Sequence, residues 1–381
     1  MKLVLFYQSI LSCWNHGNVH FLRGIAREMI QLGHQVTVYE PEDGWSRTNA
    51  LADGGSAVFA ETAALIPGIA IHTYRYDTLD LEQATHGADL VMVHEWNSPA
   101  LIAALGRQRI AGAPYTLLFH DTHHRAVTDP GELGLLDIEG YDAVLAFGEV
   151  LREIYLKRGW ARRAFTWHEA ADTALFHPLP SLGKDVDLIW IGNWGDDERS
   201  RELETFLINP ATRLRLHTRI HGVRYPTHAR VLLAARGIDY AGWLPNHRVP
   251  QAFSRARVTA HVPRRPYATA LPGIPTIRVF EALACGIPLV CSPWSDEEEL
   301  FPPDSYLMAN DEDDMAHAIS AVLSDHDLAW RLVESGLNAI RSHHTCAHRV
   351  LTLLAIVQSI KGKHRPVQAD SAVPERQAVV S

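Results

Sequence analysis

The stretch from Gly273 to Pro293, GIPTIRVFEALACGIPLVCSP, constrains the fold more than any other part of the chain. Thr276, after Pro275, has the pattern of a helix N-cap. Ile277, Phe280 and Ala284 recur on one helical face. Gly286 and Pro288 stop the helix. Leu289, Val290 and Cys291 then read as a short strand buried on both faces, the pattern of a parallel sheet. Two polar residues interrupt this apolar segment. Arg278 lies in the first turn and Glu281 three residues later, on a neighbouring part of the surface. A helix N-terminus beside a cation is an anion site. A carboxylate one turn on can accept from a pair of sugar hydroxyls, so phosphate beside ribose has this layout. An ordinary helix–strand unit with a surface ion pair has it equally.

The same alternation of strand and helix runs through the chain. Lys2–Tyr7, an amphipathic helix over Val19–Leu32 and Gln35–Tyr39 form a β-α-β unit. Further strands are expected at Ile69–Tyr74, Asp89–Val93, Tyr115–Phe119 and Ala143–Phe147. A second series runs through Asp187–Ile191, Leu214–Thr218, Ile238–Tyr240, Val258–Val262, Leu289–Cys291 and Ser305–Ala309. Helices are expected between them, among them Asp196–Leu207 and Asp311–Leu323. The 381 residues exceed what one core normally holds. The Pro/Gly/Ser-containing stretch Leu179–Lys184 marks the boundary. The predicted architecture is α/β: two Rossmann-like, doubly wound domains facing across a cleft. They cover residues 1–180 and 181–345, a closing helix at 346–360 returns toward the N-terminal domain, and the polar tail 361–381 is disordered.

Ligands in such sheets bind at the carboxyl ends of the strands. Two strands end there in polar clusters, His94-Glu95-Trp96-Asn97 and His120-Asp121-Thr122-His123-His124-Arg125. His120 is a substrate-binding candidate, and Glu95 and Asp121 are acceptor-side candidates, each equally readable as a polar loop residue. The histidines leave an extended strand without a helix to fix metal geometry, so no metal is assigned. The loop after the first strand lacks the G-x-G-x-x-G fingerprint of dinucleotide binding.

A net charge of −9 argues against a general nucleic-acid or anionic-membrane binder. Cys13, Cys285, Cys291 and Cys346 show no zinc spacing and read as reduced, buried thiols of a cytoplasmic protein. No apolar run reaches the roughly 20 residues of a membrane span. The expected location is the cytoplasm or the periphery of the inner membrane.

GIPTIRVFEALACGIPLV resembles the donor-binding segment of retaining glycosyltransferases of the GT-B fold, in the large group-one family. More narrowly, GNWGDDERSREL and PGIPTIRVFEALACGIPLVCSPWSDEEELF resemble the spore-maturation-protein branch. ADLVMVHEWNSP, YTLLFHDTHH and FTWHEAADTALFHP resemble N-terminal landmarks. The resemblance covers most of the chain. It implies transfer of a sugar from a nucleoside-diphosphate sugar to an acceptor hydroxyl, with retention and without a metal; the nucleotide sugar is a co-substrate and no further cofactor is expected. The acceptor is a glycan, lipid-linked sugar, small molecule or protein. The implied donor contacts are Glu281 to ribose, His120 to the sugar, and Gly17 near the diphosphate. Thr276, Ile277, Arg278, Asn193, Arg199 and Arg265 complete the donor set, with Arg264 a further candidate for the diphosphate charge. The family's signature pairs two Glu across seven residues; the second is Glu281, and Gly273 stands at the first position. A sugar-nucleotide epimerase and a non-catalytic nucleotide-sugar-binding subunit are the alternatives.

Overall fold

The computed structural model describes residues 1–180 and 183–362. Residues 181 and 182 of the expected boundary, and the expected disordered tail from residue 363 on, lie outside the described residues.

Two all-parallel sheets divide the chain. The first has the order β3-β2-β1-β4-β5-β6-β7, from β1 (Lys2–Phe6), β2 (Gln35–Pro41), β3 (Ala70–Tyr74), β4 (Leu90–His94), β5 (Thr116–Asp121), β6 (Ala143–Ala146) and β7 (Ala164–Thr166). The second has the order β10-β9-β8-β11-β12-β13, from β8 (Val186–Ile191), β9 (Thr218–His221), β10 (Asp239–Tyr240), β11 (Ala256–His261), β12 (Leu289–Cys291) and β13 (Leu307–Met308). Leu3 pairs with Leu90 and with Val36; Leu188 pairs with Val258 and with Thr218. Strand order therefore reverses beside β1 in one sheet and beside β8 in the other. These reversals leave crevices at the carboxyl ends of the strands.

Helices cover both faces because the central strands are apolar on both sides. β4 and β5 are buried at every residue. The helix Ile277–Cys285 begins after Thr276 and ends at Gly286, whose φ of 66° and ψ of 39° place it in the left-handed region. It buries Val279, Phe280 and Leu283, each contributing roughly 1.5–3 kcal/mol by leaving water. The final helix, Cys346–Gly362, packs on the first-half helix Val19–Gln31. Trp167 Nε1 donates to Arg349 O at 2.9 Å, fastening this last helix to the first half.

The sequence-based elements differ from the structure in two places. The helix expected over Asp196–Leu207 is a broken series: a 3-10 turn at Asp196–Glu198, α-helix at Ser200–Leu203, and a wide π-turn at Glu204–Ile208. It continues as α-helix through Asn209–Arg213. That continuation consumes the start of the strand expected at Leu214–Thr218, and β9 begins only at Thr218. Helices at Trp45–Gly54 and Ala57–Leu65, between β2 and β3, were not legible as separate elements. Among the described residues, no helix is long and apolar enough to cross a membrane.

Candidate functional site

The two crevices meet in a single cleft of about 610 Å³. From the first sheet it receives the loop after β1, including Asn15, Gly17 and Asn18. Trp96 after β4 and His123 and His124 after β5 complete that side. From the second it receives Gly192 and Asn193 after β8, Arg264 after β11, and the start of the helix Ile277–Cys285. The volume lies within the range of small-molecule sites.

Four arginines line it: Arg224 pairs with Asp196 at 2.7 Å, and Arg199, Arg264 and Arg278 lie close enough to act on one another. Arg199 has lost most of its water, and burial, then the charges of Arg264 and Arg278, pull its pKa down to about 10. It stays charged at neutral pH. Its guanidinium lies 5.3 Å over the Trp190 ring and donates to two carbonyls, Val262 O at 3.2 Å and Asn193 O. Its Nε has no partner, and no carboxylate pairs with Arg199 among the described residues. Arg264 binds Glu198 at 2.6 Å, and Arg278 binds Glu281. The histidines around the cleft add no charge at neutral pH. Burial pulls His16 and His124 down to about 4 and His261 down to about 3. The positive charge on the cleft wall thus comes from arginine, and Asp196, Asp197 and Glu198 stand on the same wall.

Thr276 occupies the N-cap position, but its side chain does not cap. Its hydroxyl meets His261 Nε2 at 3.0 Å instead. The first turn of the nine-residue helix is left without a side-chain acceptor, and Thr276, Ile277 and Arg278 face the cleft. An uncapped helix start beside three guanidinium groups suits a multiply charged anion such as a diphosphate. Gly17 approaches this turn closely: a Cβ on Gly17 would lie 3.1 Å from Ile277 Cγ2. Asn193 joins the two halves through Asn15 and accepts from Val223 N at 3.2 Å.

Of the residues singled out in the sequence, Gly17, Asn193, Arg199, Thr276, Ile277 and Arg278 line the cleft. Five do not. Arg265 turns outward to Glu202, at 2.9 Å, and its neighbour Arg264 faces the cleft. His120 is fully buried one layer below, among Phe21, His94 and Trp167, with neither ring nitrogen hydrogen-bonded; burial pulls its pKa down to about 3. Thr122, His123 and His124 take the exposed positions, because β5 carries His120 to its interior end before the loop turns. Glu281 is also fully buried, behind Arg278. Its Oε1 stands 3.2 Å from His20 Nε2, close enough for an ion pair but not aligned as a hydrogen bond. Glu95 and Asp121 lie buried beneath the loop and do not reach the cleft lining. Glu95 accepts from Thr122 N and Arg125, and Asp121 from Tyr155 OH at 2.6 Å. Burial raises both carboxyls; the Asp121 charge raises Glu95 further, whereas hydrogen bonding, first from Tyr155, works against the rise at Asp121. They hold the loop that presents Thr122 to His124.

The structure adds groups that residue patterns did not single out. Trp45 and Trp96 line the rim with about half of each side chain exposed (53% and 43%), and the Arg125 guanidinium lies 4.4 Å over the Trp96 ring. Glu169, inside the quoted FTWHEAADTALFHP segment, forms part of the wall.

Residues 199–355 match the model of the glycosyl transferase-like family. That match contains Arg199, Arg264 and the uncapped helix start. The fold is that of GT-B glycosyltransferases. Sucrose-phosphate synthase from Thermosynechococcus elongatus superposes with a TM-score of 0.64 at 15% identity, over 95% of this chain and 100% of that one. HepE from Anabaena, solved in complex with UDP and glucose, gives 0.65 at 16% identity, over 94% and 100%. A glycosyltransferase from Rickettsia africae gives 0.65 at 11% identity, over 94% and 98%. No curated protein matches the chain in sequence. The site described above thus sits between the two halves of a GT-B frame, with the glycosyl transferase-like segment supplying its basic wall.

Proposed function

We propose that this chain is a retaining, metal-independent glycosyltransferase that moves a sugar from a UDP-sugar to an acceptor hydroxyl, of the spore-maturation-protein-like branch. The observation that carries the reading is the convergence of Arg199, Arg264 and Arg278 on the uncapped start of the helix Ile277–Cys285, at the mouth between two GT-B sheets. UDP is the proposed carrier because HepE was solved with UDP and glucose.

In this reading the diphosphate sits on the helix start, with Arg199 as its main cation. The anomeric C–O bond breaks as negative charge grows on the leaving phosphate, and guanidinium groups already in place stabilise that charge more than water can. They fill the part a divalent cation plays elsewhere. The acceptor hydroxyl attacks on the face the phosphate leaves, and a phosphate oxygen takes its proton. Arg278, once drawn to the diphosphate, leaves the Glu281 carboxylate open to the ribose hydroxyls. Trp45 and Trp96 offer flat apolar faces to an acceptor on the other rim.

A thermal-shift screen over nucleoside diphosphates and nucleotide sugars tests the donor, since a ligand that binds the folded state raises its melting temperature. UDP and one UDP-hexose should stabilise most. Turnover with that donor should survive EDTA, and NMR of the product should show the donor's anomeric configuration. An inverted product overturns retention. Interconversion of the free UDP-sugar without acceptor would mark an epimerase, and binding without transfer to any acceptor a non-catalytic subunit.

A further inference from the structure

Glu169 follows β7 in a loop held on several sides. Arg349 Nε donates to the carbonyls of His168 at 2.9 Å and Glu169 at 3.3 Å, and His168 binds Glu298 at 2.7 Å. Ala171 bridges to Thr345. The backbone is therefore fixed, and it delivers the Glu169 side chain to the wall of the cleft with only 4% of the residue exposed. No hydrogen bond or ion pair to its carboxyl occurs among the described residues. The carboxyl opens to the cleft instead, where a ligand group can satisfy it.

The groups facing it include no cation free to pair with a carboxylate. Glu281 approaches from the helix Ile277–Cys285. The Tyr267 hydroxyl approaches from the helix Arg265–Thr269, and the Tyr7 hydroxyl from the end of β1. The Arg349 guanidinium, from the last helix, is committed to backbone carbonyls. Burial, then the Glu281 charge, pushes the Glu169 pKa up to about 8, so the group is a neutral acid at pH 7. A neutral carboxyl gives one hydrogen bond and accepts another, which matches a hydroxyl. It does not repel a diphosphate in the same cleft.

We propose that Glu169 is a binding residue for the transferred sugar, giving its O–H to, and accepting from, hydroxyls of the hexose. This rests on the UDP-sugar reading. Ribose is the other neutral polyol of such a donor, and UDP alone carries ribose, so the two contacts separate experimentally.

The test is calorimetric titration with UDP and with the UDP-hexose that stabilises the wild type most. In Glu169→Ala the Kd for the UDP-hexose should rise about tenfold, the equivalent of one or two hydrogen bonds, while that for UDP changes less than about twofold. Unchanged UDP affinity also reports an intact fold. Glu169→Gln, which keeps a donor and an acceptor, should stay within about threefold of wild type for both ligands. Between pH 7 and pH 9 the wild type should lose its preference for the UDP-hexose over UDP as the carboxyl ionises, and Glu169→Gln should keep it. The histidines near the cleft with lowered pKa values, and the raised tyrosines, do not titrate in that window. Equal weakening of UDP and UDP-hexose in Glu169→Ala would assign the contact to ribose and overturn the inference. So would an alanine variant indistinguishable from wild type with both. If the wild type binds neither ligand, the UDP-sugar reading itself falls.

Discussion

Glu298 occupies the space that a side chain at position 273 would need. A Cβ built on Gly273 would lie 2.8 Å from Glu298 Cγ and 3.1 Å from its Oε1. Glu298 is itself committed, to His168 and to Glu149 N at the start of a helix. Gly273 also has a φ of 85°, where any Cβ is strained. A side chain at this position therefore has to displace Glu298 as well as strain the backbone. Gly273→Ala should destabilise by about 1–3 kcal/mol, and Gly273→Glu by more. Chemical denaturation reads both. A glutamate variant as stable as wild type, with unchanged donor affinity, would show that the loop adapts freely.

Arg199 and Arg265 make a matched pair of tests. Arg199 has carbonyl partners only, whereas Arg265 is exposed and pairs with Glu202 outside the cleft. Arg199→Ala should lower kcat by about 10²–10³-fold and weaken UDP binding, as loss of a positioned charge donor does. Arg265→Ala should stay within about twofold of wild type, the range of an exposed ion pair. If steady-state kinetics rank the two the other way round, the cation is misassigned.

Glu281 is expected to act through Arg278. With the carboxylate gone, Arg278 loses the partner that orients it, and ribose loses an acceptor. Glu281→Ala should raise the Kd for UDP about tenfold or more, the weight of a charge-assisted hydrogen bond. Glu281→Gln should fall between, since the amide still accepts but carries no charge. Titration of both variants with UDP decides it, and wild-type affinity in the alanine variant removes Glu281 from the donor site.

His120 gives the pH prediction. In the folded chain burial lowers its pKa to about 3 from an ordinary 6.5. Below pH 6.5 the unfolded chain takes up a proton that the folded chain refuses. Stability is therefore lost as pH falls from 6.5 toward 3, by up to about 1.4 kcal/mol per pH unit from this group. Between pH 7 and pH 5 the melting temperature of His120→Phe should drop less than that of wild type. Donor affinity should persist, because His120 lies below the cleft wall. Loss of turnover in a folded His120→Phe that still binds UDP would instead give this histidine a contact with the sugar during reaction.

Much of the fold was legible in the sequence because its signals are local. Apolar triplets such as Leu289–Cys291, glycine stops such as Gly286 and the 3.6-residue stripe of the helix Val19–Gln31 each report a neighbourhood of a few residues. Elements failed where local signals conflict. The run from Asp196 is a good helix by composition, yet its backbone shifts through three helical geometries around Arg199.

What the sequence determined by itself is the alternation of buried strand and amphipathic helix, hence two parallel sheets, and a polar segment at 273–293 able to meet an anion. What the tertiary structure alone decided is which polar side chains reach the cleft. Arg264 and Arg265 are adjacent and equally charged, but successive residues leave the backbone in different directions, and one faces the anion site while the other faces Glu202. Glu169 stands beside Glu281, and Gly273 beside Glu298, only after segments far apart in the chain are packed together. Local periodicity carries no information about those encounters, because burial and charge at a site are set by neighbours distant in sequence.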